Sequence, residues 1–550
     1  MRILICHGYL LKGTGSNQYV QSFARSLCRQ GHNSIVFCQD DDPRLDFVSS
    51  FVMEEPGIRL RVAWEQEIEY PGSCMVFRPD IGDLLPVYVC DSYPGFHVKE
   101  FPDLDERELR DYVERNRASL SRLVKRFSPE AIQVNHTVML PCIVRPIAEE
   151  AGVPYFVTVH GSAIEFAVKK DRRYLDCGAE GLAGAKGIIV LSEHSGDVVR
   201  EVFGGMVEGL DEKVIVVPPG VDTGFFRPDD RSLSEAVETL LEAVEERTGG
   251  VRVGDFVGHA REGPPDGGEE VDDDVEWETT RINALHPDWL PESDISTRLR
   301  EMAAEGRPFL QFVGKLLETK GIQCVLPALP LIMRDYPRAC LVVVGFGELR
   351  GILELMLGAL DRGDVRVLTR LCEYANARYT LADSAFTPVL TFLDELAGEG
   401  SLDEYLRLCR GLDLAGSVIF TGYLAPEEHR HLMPHARAAL VPSIAPEAFG
   451  LVAIEAMACG VVPVASLHSG LRDALEPAAE AWGREAESLF LGTREKFVFR
   501  IAAAARKVMG MPEDALRYRG ELMREAVKSR FSWDAVSTRM IHIMGSGLES

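Results

Sequence analysis

The sequence predicts an α/β protein made of two parallel-sheet units, and three observations carry the prediction. Short, continuous apolar runs rich in Val, Ile and Leu recur along the chain, many of them separated by segments of helical period. Strands buried on both faces beneath crossover helices have this pattern. Glycine follows several runs, as in Val344-Gly345-Phe346-Gly347 and Thr421-Gly422, where a missing Cβ lets a ligand approach the backbone. An acidic stretch of different composition separates the runs into two series.

The first series comprises residues 3–6, 34–38, 75–77, 87–90, 132–134, 155–159, 187–191 and 214–217. Its first helix opens after Gly13-Thr14-Gly15-Ser16-Asn17, a glycine loop suited to a phosphate or another polar ligand. The third glycine of a dinucleotide fingerprint is missing, so hydride chemistry is not supported. The unit leaves through Pro218-Pro219-Gly220-Val221-Asp222, a shaped turn. The second series comprises 309–313, 340–344, 418–421, 438–441 and 461–465, interrupted by a mostly helical segment at about 370–411 and followed by a helical segment at 512–544. The expected domains are therefore 1–228, joined by the C-terminal helix at about 516–550, and 305–515. Residues 229–304 form an insertion or linker between them. Positions 229–300 hold 20 acidic residues and 7 arginines, net −13, half of the −26 of the whole chain. Within it, 249–278 combines Gly263-Pro264-Pro265 with Asp272-Asp273-Asp274, and self-repelling charge with little apolar content predicts partial disorder. Residues 233–246 have helical spacing.

Composition excludes several classes. With 550 residues, 46% of them hydrophobic, the chain is long enough for buried cores in two or three domains. An excess of 85 Asp+Glu over 59 Lys+Arg argues against nucleic acid as a partner, because phosphate contacts need clustered cations. Twelve cysteines are scattered singly without a CxxC pair, the pattern of reduced thiols in a cytoplasmic protein rather than a disulfide scaffold or zinc site. The apolar run after Met1 is too short for a signal peptide, and no segment reaches the 18 or so apolar residues of a membrane span. The segment Glu106–Phe127 alone suggests a membrane surface. It carries seven Arg or Lys beside an apolar stripe and either docks on anionic lipid or packs on the sheet with its basic face in water.

The chemistry concentrates in Val441-Pro442-Ser443-Ile444-Ala445-Pro446-Glu447-Ala448-Phe449-Gly450-Leu451, continued by Val452-Ala453-Ile454-Glu455-Ala456-Met457-Ala458-Cys459-Gly460. A strand ends at Ser443, a loop presents Glu447, and a helix begins near Phe449. The amides of Ala448, Phe449, Gly450 and Leu451 then sit at a helix N-terminus, which favours a phosphate or a polar sugar. Glu447 and Glu455, eight apart, suit two hydroxyl clusters of one extended ligand. At the first strand-to-helix turn of the second unit, Gly314-Lys315 and Lys320-Gly321 place two cations where they can converge on a diphosphate.

These stretches together resemble the retaining glycosyltransferases of GT-B fold, with two Rossmann-like domains facing a cleft, in the glycosyltransferase family 4-like group related to glycogen and sucrose synthases. The resemblance covers most of 1–228 and 305–545. It implies that Glu447 contacts the donor sugar, Glu455 the ribose, and the backbone near Tyr423 and Leu424 the base edge, with Gly345 lining the nucleotide pocket. His160, in Val157-Thr158-Val159-His160-Gly161, matches a strand-terminal histidine beside the donor sugar. The family usually has Arg where Lys315 stands, which exchanges a bidentate fork for a point charge. An acidic residue usually follows the family's first glycine loop, whereas this chain has Ser16-Asn17-Gln18. His7-Gly8 and Asn135-His136 fall at strand ends as acceptor-side residues.

The activity implied is transfer of a sugar from a nucleotide diphosphate sugar, UDP- or GDP-linked, to a hydroxyl acceptor bound by the first domain: a small molecule, glycan or lipid. Lys315, Lys320, Gly15 and the 448–451 amides would hold the diphosphate, and His160 and Glu447 would act at the reacting sugar. No cofactor and no metal are required by this reading. Asp40-Asp41-Asp42 and Asp272-Asp273-Asp274 look like the metal motif of another glycosyltransferase fold, but lysines and a helix end already serve the diphosphate. An epimerase of the same fold and a non-catalytic sugar-nucleotide-binding protein are the alternatives.

Overall fold

The computed structural model describes all residues except Lys12, Thr14, Ile58, 89–94, 252–270, Pro287, Trp289, Asp383, 493–494 and 547–550, and leaves out the side chains of 271–273. It divides into two compact units, Met1–Asp222 with Ser529–Ser550, and Thr223–Lys528.

In the first unit the apolar runs become β1 (Arg2–Cys6), β2 (Asn33–Phe37), β5 (Ser73–Arg78), β8 (Ala131–Asn135), β9 (Tyr155–Val159), β10 (Gly187–Val190) and β11 (Val214–Val216). They pair in parallel in the order β11-β10-β9-β8-β1-β2-β5. Ile3, Leu4, Ile5 and Cys6 are completely enclosed, as continuous apolar runs in a sheet covered on both faces require. Beyond β5 the sheet continues through β3 (Val48–Glu55) and β4 (Arg59–Glu65), an antiparallel hairpin that the sequence pattern did not suggest. In β4, Leu60, Val62 and Trp64 alternate with other residues instead of forming a continuous run, and Leu60 and Val62 are left in water. The run at 87–90 was expected as a strand of this unit. Residues 89–90 of that run lie outside the described residues; Val87 ends β6 (Leu84–Val87), which pairs with β7 (His97–Glu100) in a separate two-stranded sheet.

Asp105 and Glu108 form a capping box at the start of the helix Glu106–Phe127, satisfying amides that its first turn cannot pair. Leu120, Leu123 and Val124 enter the core, while Arg122 binds Glu54 and Lys125 binds Glu150. The apolar face is thus used within the fold. Cys142 and Cys177 are joined by a disulfide with Cα atoms 5.9 Å apart. This corrects the expectation that every thiol is reduced, and removes one ground for a cytoplasmic location. The other nine described cysteines are free and buried. The helical segment expected over 512–544 is two helices, Glu513–Phe531 and Trp533–Ser546. The break at Ser532 arises because Val221 exchanges hydrogen bonds with Phe531 and Trp533. Only the part from Ser529 onward belongs to the first unit.

The second unit holds one parallel sheet, in the order β14 (Val418–Gly422), β13 (Cys340–Val344), β12 (Phe309–Val313), β15 (Ala438–Val441), β16 (Val462–Ser466), β17 (Phe490–Leu491). The helical interruption is observed as Val365–Arg378, Thr387–Gly398 and Leu402–Arg410. The acidic stretch is far from structureless among its described residues, forming helices Leu233–Thr248, Val271–Leu285 and Ile295–Ala304. Part of the segment expected to be disordered, 252–270, lies outside the described residues, but 271–278 belong to a helix. Thr279 and Ile282 on that helix are buried, and Gly351 approaches so closely that a Cβ there would lie 2.6 Å from the Thr279 carbonyl oxygen. A buried helix face offsets the charge repulsion on the other side.

Candidate functional site

In the second unit the loops after β12 and β15 are stitched together. The Thr319 carbonyl accepts from Ile444 and Ala445 N–H at 2.8 and 3.2 Å. Gly321, at φ 74°, passes beneath Pro442, where a Cβ would lie 1.9 Å from its carbonyl oxygen; no other residue permits that approach. The stitching brings Lys320 to Glu447, with Nζ 2.7 Å from Oε1. Ser443 Oγ donates to the same carboxylate oxygen. Burial pushes the Glu447 carboxyl upward, but Lys320 and the Ser443 hydrogen bond outweigh it and hold the group below its ordinary value. Glu447 is therefore ionised and fixed.

The backbone of Glu447 is pinned as well. Its N–H donates to Ser469 Oγ at 2.8 Å and its carbonyl accepts from Gly470 N–H at 3.0 Å. His468 Nε2 donates to the Ser443 carbonyl at 2.8 Å, and its Nδ1 lies 3.0 Å from Ser469 Oγ. Ser443, His468 and Ser469 were not singled out from the sequence. His468-Ser469 follows β16, so the strand-end rule that found His160 could have found them.

The helix begins at Leu451 rather than near Phe449, with Gly450 at φ 131° as its cap and no side-chain cap. In its first turn, Ala453 N–H donates to the Gly450 carbonyl at 3.1 Å. Glu455 lies one turn along, half-buried, and its carboxylate makes no hydrogen bond or ion pair among the described residues. Burial pushes its pKa up to about 7. An isolated carboxyl of this kind is poised to accept from hydroxyls.

Lys315 makes no ion pair among the described residues, and its ammonium lies 5.8 Å from the centre of the Phe346 ring. Lys320, the other expected diphosphate cation, is paired with Glu447. Phe346, which sequence reasoning passed over, meets Tyr423 edge to face at 5.5 Å. Gly345 N–H donates to the Gly422 carbonyl at 3.0 Å, joining the ends of β13 and β14. The base-edge assignment for Tyr423 meets an obstacle. Its N–H already donates to the Leu290 carbonyl at 3.0 Å, and its carbonyl accepts from Arg247 Nη2 at 3.3 Å.

In the first unit, His160 Nε2 donates to Asn135 Oδ1 at 2.8 Å, and its ring meets those of Tyr19 and His136 at 5.0 and 4.8 Å. His7 Nε2 donates to Asn17 Oδ1 at 2.9 Å and stacks on His136 at 5.9 Å. Burial, reinforced by the neighbouring rings, lowers His160 to about 3 and His136 well below its ordinary value, and burial lowers His7 to about 4. All three are neutral near pH 7. Gly15 caps the helix Ser16–Arg29 at φ 59°, two residues before Asn17. Gly15, His7, His160 and His136 thus belong to one neighbourhood of this unit. Asp40, an apparent metal ligand, instead accepts from Leu11 N–H at 2.9 Å. No group of three His, Cys, Asp or Glu that could hold a metal ion occurs among the described residues.

Two Rossmann-like units built largely on parallel strands, the second with glycines at its strand ends, define the GT-B class of glycosyltransferases. Residues 13–225 match the profile described as Glycosyltransferase Family 4, and 297–483 match Glycosyl transferases group 1. The chain belongs to the family 4-like glycosyltransferases of GT-B fold. It is 25% identical over 167 residues to an uncharacterized glycosyltransferase of Methanocaldococcus jannaschii, spanning 28% of this chain and only 37% of that relative's length. Among solved structures it resembles sucrose-phosphate synthase from Thermosynechococcus elongatus, at 17% identity and TM-score 0.51, covering 99% of this chain and 98% of that one. It also resembles Anabaena HepE in complex with UDP and glucose, at 14% identity and TM-score 0.53, covering 99% and 100%. These structural likenesses show the fold. No helix among the described residues is long and apolar enough to cross a membrane.

Proposed function

We propose that the chain transfers a sugar, with retention of configuration, from a UDP- or GDP-sugar to a hydroxyl acceptor. The observation that carries this reading is the fixed, ionised Glu447 held by Lys320 and Ser443 beside the uncapped N-terminus of the helix Leu451–Ala458. The amides of 448–451 and the ammonium of Lys315 stabilise charge growing on the leaving diphosphate, the role that preorganised donors perform best. Glu447 accepts from donor-sugar hydroxyls, and Glu455 accepts from the ribose. His160, neutral and oriented by Asn135, donates no net charge and positions the sugar by hydrogen bonding. By analogy with the family, the acceptor hydroxyl gives its proton to the departing phosphate, so no separate protein base is assigned. The acceptor is assigned to the first unit, around Gly15, His7 and His136, and no metal is assigned to the diphosphate. HepE, crystallised with UDP and with UDP-glucose, supports a nucleotide sugar as donor.

The test is a thermal-shift panel of UDP-, GDP- and ADP-sugars, followed by transfer assays with the stabilising donor in the presence and absence of EDTA. Binding only to the folded state raises its stability by mass action. An α-linked product from an α-linked donor, formed equally with EDTA, is expected. An inverted product, or free nucleoside diphosphate appearing at the same rate with and without acceptor, would sink the reading.

A further inference from the structure

The acidic stretch that precedes the second sheet does more than connect. Residues 290–292 lie along the end of β14, the edge strand of that sheet. Pro291 bridges Gly422 in antiparallel fashion, Glu292 N–H donates to the Thr421 carbonyl at 2.9 Å, and Tyr423 N–H donates to the Leu290 carbonyl at 3.0 Å. Gly422, at φ 69°, makes room, since a Cβ there would lie 2.5 Å from the Leu290 carbonyl oxygen. The strap is anchored by Glu292, whose buried carboxylate meets His286 Nδ1 at 2.8 Å and Arg350 Nε at 3.2 Å. From the helix Leu233–Thr248, Arg247 lies over the Tyr423 ring at 5.1 Å. Its guanidinium is gripped by the buried Glu428, Nε to Oε1 at 2.5 Å and Nη2 to Oε2 at 3.2 Å. Glu428 also accepts from Ala425 N–H at 2.7 Å. Both polar groups of the Tyr423 backbone and one face of its ring are therefore set by residues of the acidic stretch.

We propose that Arg247 and the 290–292 strap are positioning elements of the pocket for the base of a nucleoside diphosphate. They hold the turn 422–425 so that the base is read by Leu424 and by the Phe346 and Tyr423 rings, not by the Tyr423 backbone edge. The inference rests on the donor reading above. A bidentate guanidinium pair fixes orientation in a way an ammonium does not, so the effect depends on the fork as well as on the charge.

Isothermal titration with UDP, GDP and ADP, and steady-state kinetics with the corresponding glucose donors, compare the unmodified chain with Arg247→Ala, Arg247→Lys and Tyr423→Leu. Arg247→Ala and Tyr423→Leu are expected to weaken nucleoside diphosphate binding by about tenfold while kcat stays within threefold, with Arg247→Lys in between. Should Arg247→Ala fail to fold by circular dichroism, Tyr423→Leu and Arg247→Lys carry the test. Unchanged affinity in the folded variants, or a fall in kcat without one in affinity, overturns the inference while leaving the donor reading intact. Absence of nucleoside diphosphate binding by the unmodified chain removes the donor reading and this inference with it.

Discussion

Lys320 and Glu447, 127 positions apart in sequence, form an ion pair of 2.7 Å between the loops after β12 and β15. Neither partner is open to water over most of its surface, with side-chain exposures of 35% and 18%. Breaking such a pair leaves an uncompensated, partly buried charge. The pair therefore keeps the carboxylate ionised as well as in place.

Replacing Glu447 by Gln keeps hydrogen-bonding capacity toward Lys320 and Ser443 but removes the charge. In transfer assays Glu447→Gln should lower kcat by roughly 100-fold with little change in donor KM, the loss typical of one preorganised electrostatic group. Full activity in this variant would remove Glu447 from the site.

Among the described residues Lys315 has no carboxylate partner, and it faces Phe346. Its charge is free to act on a diphosphate, and a hydrogen bond to a charged group contributes about 1.5–3 kcal/mol. Lys315→Ala should raise donor KM about tenfold or more, and Lys315→Arg should retain most of the affinity. Titration calorimetry with the preferred nucleoside diphosphate reads the same difference without turnover.

Burial raises Glu455 from 4.5 to about 7, so between these values the folded chain holds a proton that the unfolded chain has lost. Its contribution to stability is fully present below pH 4.5 and is lost as pH rises through about 7. Ribose hydroxyls, by contrast, need the carboxylate as acceptor. Donor affinity should therefore rise with pH, and at pH 6, about one unit below this pKa, it should be roughly tenfold weaker than at pH 8. Glu455→Gln should abolish that dependence in a pH series of binding isotherms.

The histidine neighbourhood has the opposite sign. His7, lowered to about 4, His160, lowered to about 3, and His136, lowered further, all bind protons more readily unfolded than folded. Their contribution to stability is present above pH 6.5 and is lost as pH falls toward 4. Asn tolerates the left-handed backbone that His136 adopts at φ 69°. Circular-dichroism melts between pH 7 and 4.5 should show a shallower loss of Tm in His136→Asn than in the unmodified chain.

Much of this was legible from residue order. Continuous apolar runs announced the strands of the two large sheets except β3, β4 and β17, and the loop-to-helix pattern around Glu447 and Glu455 announced the helix that follows β15. What stayed hidden depends on distant residues meeting. Leu60, Val62 and Trp64 alternate along Arg59–Glu65, a period-two signal that a search for continuous apolar runs does not register. The Cys142–Cys177 disulfide joins residues 35 apart without a telling spacing. Arg247 and Leu290 lie in a stretch whose composition advertised only charge, and nothing in it shows that they end up against Tyr423. The excess of carboxylates was a poor guide there, because Glu292 and Glu428 are buried against arginines.

The 290–292 strap has one more effect. An outermost strand such as β14 presents a row of unpaired amide and carbonyl groups on which a second chain can add, a common start of aggregation. Here the strap takes up that row at the strand's end, and Pro291, lacking an N–H, cannot extend the pairing outward. Nearby, Arg298 from the next helix donates to the Ala415 carbonyl at 2.8 Å. The same residues that pin Tyr423 thus occupy the end of the edge strand where another chain could otherwise add.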